Sequence, residues 1–118
     1  MNFYPHLFSP LTIRGKRIRN RIETAPMSVV GSTNGFTREA LELYANMSKG
    51  GAGIVTLGEV GVDTETDTCH PTINNLDSTD ILPTLTQVVD AIHLYGALAS
   101  VELNHSGNRS NPKYVAEG

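Results

Sequence analysis

The sequence predicts an α/β fold, and three observations predict it. Ile54, Val55, Thr56 and Leu57 form a compact, largely apolar run, as expected of a strand covered on both faces. Leu82, Leu85, Val88, Val89, Ile92 and Tyr95 recur at three- and four-residue spacing, which places them on one helix face. Strand-like and helix-like segments alternate, and that order implies a parallel sheet with right-handed crossovers.

Each element can be justified in turn. Apolar alternation around Arg14-Gly15-Lys16 over residues 8–19 reads as a β-hairpin. Residues 21–27 form a short strand, with Pro26 at its end because proline cannot donate to a ladder. Asn34-Gly35 marks a turn within the loop from Gly31 to Gly35. Thr37 then caps a helix over 37–49, Glu39 lies in its first turn, and Gly50 and Gly51 stop it. The second strand runs over 53–58, and residues 58–77 read as a long loop. Ser78 or Thr79 caps the helix over 79–95, which Gly96 ends, and residues 98–103 form a third strand.

Composition narrows the class. The chain of 118 residues is 39% hydrophobic and 18% charged, as a packed globular chain is, and its net charge is -3. Arg14, Lys16, Arg17, Arg19 and Arg21 alternate with isoleucines, a pattern of a solvated edge strand and not of a nucleic-acid surface. A lone Cys69 excludes an internal disulfide, and no Cys/His spacing points to zinc. No apolar run reaches the ~20 residues of a membrane span, and no signal-peptide pattern opens the chain. The expected location is cytoplasmic, with no membrane or nucleic-acid partner.

Parallel α/β folds bind ligands at the carboxyl ends of their strands. Here those ends are Ala25 to Ser28, Gly58-Glu59, and Glu102 to His105. Three strands fit a doubly wound sheet and a barrel equally well.

Longer stretches carry a family likeness. They are Leu7-Phe8-Ser9-Pro10-Leu11-Thr12-Ile13, Asn20-Arg21-Ile22, Ala25-Pro26-Met27, Gly50 to Val55, and Leu103-Asn104-His105-Ser106-Gly107. In order and spacing they resemble the old yellow enzyme family, in particular its bacterial NADH:flavin oxidoreductase and dienoyl-CoA-reductase-like branch. The resemblance implies the first three βα units of a (β/α)8 TIM barrel, preceded by the hairpin. The barrel is then incomplete: residues 1–118 would be the N-terminal portion of a single FMN-binding domain. The implied cofactor is FMN, reduced by NADH or NADPH, with an unsaturated small molecule as substrate and hydride transfer to its activated C=C bond.

Carried over residue by residue, the resemblance makes Ala25, Pro26, Met27 and Ser28 the first flavin contact, with Ser28 offering a hydroxyl. Gly58 and Glu59 form the second, although small residues are usual at the Glu59 position. Glu102 stands where relatives usually carry Gln, and a carboxylate only accepts hydrogen bonds. His105, just beyond it, is a further candidate, balanced against a structural histidine. Val30 stands where some relatives have tyrosine, so no tyrosine role carries over. The catalytic substrate-anion pair, the phosphate loops and the iron–sulfur cysteines of one branch would all follow residue 118. An inert remnant is the alternative reading, and homo-oligomerisation is left open.

Overall fold

The computed structural model describes residues 3–28, 35–65 and 74–110. Cys69 and His70, and most of the Gly31–Gly35 loop, lie outside them. Strands β1 (Leu11–Ile13) and β2 (Lys16–Ile18) form the antiparallel hairpin, with Thr12 opposite Arg17. Arg14 and Gly15 both take positive φ, 44° and 79°, the left-handed pair that matches the twist of a two-residue hairpin loop.

The main sheet holds β3 (Glu23–Thr24), β4 (Ile54–Gly61), β5 (Asn74–Asn75) and β6 (Leu98–Asn104). All pairings with β4 are parallel. The three expected strands are therefore parallel neighbours in the expected order, with β4 central. β5 was not foreseen. It pairs with Val60 and Gly61 of β4 and thus occupies part of the segment read as loop. The strand expected over 21–27 shrinks to two residues, and Pro26 beyond them has no N–H with which to extend the ladder.

Two helices cover one face. Helix α1 (Arg38–Lys49) starts at Thr37, whose side chain accepts from the Ala40 amide at 3.2 Å. It buries Ala40, Tyr44 and Ser48, one residue per turn. Gly51 follows its end at φ 110°, a conformation that L side chains rarely adopt. Helix α2 (Leu82–Leu94) begins later than expected. Ser78 caps a preceding 3-10 turn over Thr79–Ile81, and Pro83 lies in the first turn of α2, where its missing N–H costs nothing. Val88 and Ile92 are buried, but Leu82 and Tyr95, at the two ends of the expected stripe, are exposed.

The core lies between sheet and helices: Val55, Leu57 and Val60 of β4 meet Phe36, Ala40, Tyr44, Ile81, Val88, Ile92 and Ala97. Within it Ser48 donates to the Ile92 carbonyl at 2.7 Å and joins the two helices. Arg19 departs from the solvated-edge expectation. Its guanidinium donates to the carbonyls of Ser48, Ala52 and Tyr95, so it closes the carboxyl ends of both helices, where carbonyls lack intrahelical partners. Among the described residues, no helix is long and apolar enough to cross a membrane.

Candidate functional site

At the carboxyl end of the sheet two irregularities meet. Thr24 pairs with Val55 and Ser28 bridges Gly58, so the first segment takes four steps where β4 takes three. Leu57 pairs with Val101 and Val60 with Leu103, so Gly58 and Glu59 together oppose Glu102. Such bulges bend a strand and re-aim its side chains. The sequence placed Gly58 and Glu59 at the strand's end. The structure corrects this: they sit inside β4, which continues to Gly61.

Gly58 is where the three segments touch. A Cβ there would lie 2.2 Å from Pro26 Cβ, 2.9 Å from Pro26 Cα and 3.0 Å from Glu102 Oε2. No side chain fits, because one of the neighbours is backbone. The Glu102 carboxylate therefore lies over Gly58, while Ser28 Oγ accepts from the Glu59 amide at 3.2 Å. Having accepted there, the Ser28 hydroxyl still carries a proton it can donate. Met27, Ser28 and Glu102 are exposed and Glu59 is half-buried. Two residues before Gly58 on β4, Thr56 Oγ1 donates to Glu23 Oε1 at 2.7 Å.

His105 behaves differently. It follows β6 directly, is exposed, and its Nδ1 accepts from the Gly107 amide at 3.0 Å. That bond is local to its own turn, whereas Ala25 to Ser28, Gly58, Glu59 and Glu102 are drawn together across three segments. Among the described residues, no group of His, Cys, Asp or Glu could hold a metal ion.

Tyr44 was not among the candidates that the sequence offered. Its ring is fully buried, edge-on to Phe36 at 6.1 Å. Its hydroxyl donates to the Met27 carbonyl at 3.0 Å. Burial pushes the phenol's pKa up, with the Gly58 amide acting weakly the other way, so Tyr44 is neutral at ordinary pH. The available signal was a phenol on the inner face of α1, since a buried tyrosine hydroxyl needs a partner.

These features define a class: a βαβαβ layer of a parallel α/β protein, with polar groups gathered at the strand carboxyl ends. The model of the NADH:flavin oxidoreductase / NADH oxidase family matches residues 6–117, and the chain belongs to that family. It is 28% identical to an NADH oxidase of Thermoanaerobacter brockii over its whole length. It is 30% identical to a cinnamate reductase of Clostridium sporogenes over 97% of the chain. The chain spans 18% of the length of each of these relatives. Among solved structures, histamine dehydrogenase from Rhizobium sp. 4-9 superposes with a TM-score of 0.85 at 27% identity, covering 99% of this chain and 18% of that one. The old yellow enzyme of Trypanosoma cruzi superposes with a TM-score of 0.80 at 25% identity, covering 94% and 30%. The fold is that of the N-terminal part of the old yellow enzyme TIM barrel, an incomplete barrel.

Proposed function

We propose that this chain supplies the first three βα units of an FMN-dependent oxidoreductase that passes hydride from NADH or NADPH to an activated C=C bond. The observation that carries the reading is the convergence of Ser28, the Gly58–Glu59 bulge and Glu102 at one mouth. The donor set fits a flavin. Exposed Met27 offers apolar surface to a flat ring, the Ser28 hydroxyl can donate to a ring heteroatom, and the Glu102 carboxylate can accept from a ring N–H. Glu59, tied to Ser28 through its amide, would line the same edge. His105 would stand at the rim. FMN, when bound, supplies the redox chemistry. The chain's residues hold it at the strand ends and set the charge around its polar edge.

Cinnamate reductase as a relative supports an α,β-unsaturated carboxylate as the substrate class. The substrate-binding and phosphate-binding residues, and any iron–sulfur cluster, would be supplied by further βα units. Charge-assisted phosphate contacts are among the strong ones, so residues 1–118 alone are expected to hold FMN weakly.

The test is to purify the protein with the further βα units that complete its barrel, measure flavin released on denaturation, and follow NADH and NADPH oxidation anaerobically with cinnamate and with its saturated analogue. Stoichiometric FMN and oxidation with cinnamate alone are expected. A colourless protein that takes up no added FMN overturns the reading.

A further inference from the structure

We infer that Tyr44 is a positioning residue of this mouth: from the helix layer its hydroxyl pins the Met27 carbonyl, and with it the segment that carries Ser28. The inference rests on the FMN reading for its functional consequence, but its structural part stands alone. β3 ends at Thr24, so the 25–28 segment reaches β4 again only through the isolated Ser28–Gly58 bridge. A segment holding proline and a bulge has few ladder bonds of its own. The Tyr44 hydroxyl, 17 residues on from Met27, bonds that segment to α1. The same segment carries Pro26, which packs against Gly58 of β4 beside Glu102. Ser28, next after Met27, accepts from the Glu59 amide through its Oγ. Their geometry toward a cofactor therefore depends on a residue that faces away from it. Phe36 packs edge-on against the Tyr44 ring in the core, away from its hydroxyl bond to Met27.

The experiment compares Tyr44→Phe with Phe36→Leu in the protein with its barrel complete. Amide hydrogen exchange without FMN is read first. Loss of one hydrogen bond corresponds to about a tenfold change. Tyr44→Phe should speed exchange at Glu59, whose amide bonds to Ser28 Oγ, about tenfold relative to Val55 and Leu57. Phe36→Leu, which keeps the hydroxyl, should leave that ratio unchanged. FMN should bind about tenfold more weakly to Tyr44→Phe and as before to Phe36→Leu once folded. Uniform exchange changes with unaltered FMN affinity make Tyr44 a core residue only and overturn the inference. Should Tyr44→Phe not accumulate as folded protein, 3-fluorotyrosine at position 44, a stronger donor of nearly the same shape, takes its place. It must slow exchange at Glu59, and an unchanged rate overturns the inference. If the unsubstituted protein takes up no FMN, the proposed function falls, while the exchange ratio still decides the pin.

Discussion

Gly53 and Gly58 lie at the entrance and the interior of one strand, and both exclude a Cβ, but against different neighbours. At Gly53 a Cβ would lie 2.7 Å from both the backbone oxygen and Oδ1 of Asn20, and 2.8 Å from Ile18. Around it polar side chains bond to the chain's own backbone. Buried Asn20 donates to Gly51 O at 2.7 Å and accepts from the Ile22 amide at 3.1 Å, and Arg19 closes both helices. At Gly58 the neighbours are Pro26 and Glu102, and the surrounding Ser28 and Glu102 are exposed. The amino end of the sheet uses its polar groups to seal the fold. The carboxyl end leaves them exposed, at the end where such barrels generally bind their ligands.

The largest effects should come from filling the two glycines. Gly58→Ala forces Pro26 backbone to move and should cost about 3 kcal/mol, with flavin uptake lost. Gly53→Ala should cost a similar amount, about 2–3 kcal/mol, yet leave flavin uptake per folded molecule intact. Thermal unfolding with flavin titration checks both. Normal flavin binding in a folded Gly58→Ala protein breaks the comparison.

Arg19→Met sharpens it from the sealed side. It removes donors from three carbonyls and should destabilise by about 1.5–3 kcal/mol. The flavin potential should not move, and a shift in potential would show that the two ends are coupled.

Glu102→Gln probes the open side. Stability should change by less than about 0.5 kcal/mol, as for exposed substitutions. A carboxylate near reduced, anionic flavin repels it, so removing the charge should raise the midpoint potential by on the order of 30 mV. A potential unmoved across the neutral pH range means that Glu102 points away from the flavin.

The smallest effect concerns acid. Hydrogen bonds from the Thr64 hydroxyl and amide, 2.5 and 2.7 Å long, hold the Asp77 carboxyl below its ordinary value. A lowered folded pKa means stabilisation that is present above the unfolded value of 3.8 and lost as pH falls from there through the folded value. Because Asp77 is exposed, the effect should stay under about 0.5 kcal/mol. Asp77→Asn should flatten the acid limb of stability below that pH. An unaltered limb would show that the Thr64 contact does not persist in solution.

Legibility followed the range of the interactions. Thr37 and Gly51 were readable because a helix end is specified within a few residues. The parallel order of β3, β4 and β6 was readable because alternating periodicities leave few topologies. The site was readable in outline, since chain order alone brings strand carboxyl ends together. The boundaries of β3 and β4, the short β5, and the role of Arg19 were not. Arg19 looked like one of several alternating cations until folding brought it to carbonyls 29, 33 and 76 residues away.

The sequence by itself determined the α/β class, the helix caps, the buried run of β4 and the gathering of Ser28, Glu59 and Glu102 at one end of a sheet. These depend on local periodicity and on chain order. Only the tertiary structure decided the two bulges, the contact of Pro26 and Glu102 over Gly58, and the task of the Tyr44 hydroxyl. Register is set by how separate segments pair. One extra residue on either strand re-aims every side chain beyond it, and no pattern within a single segment records which residue that is.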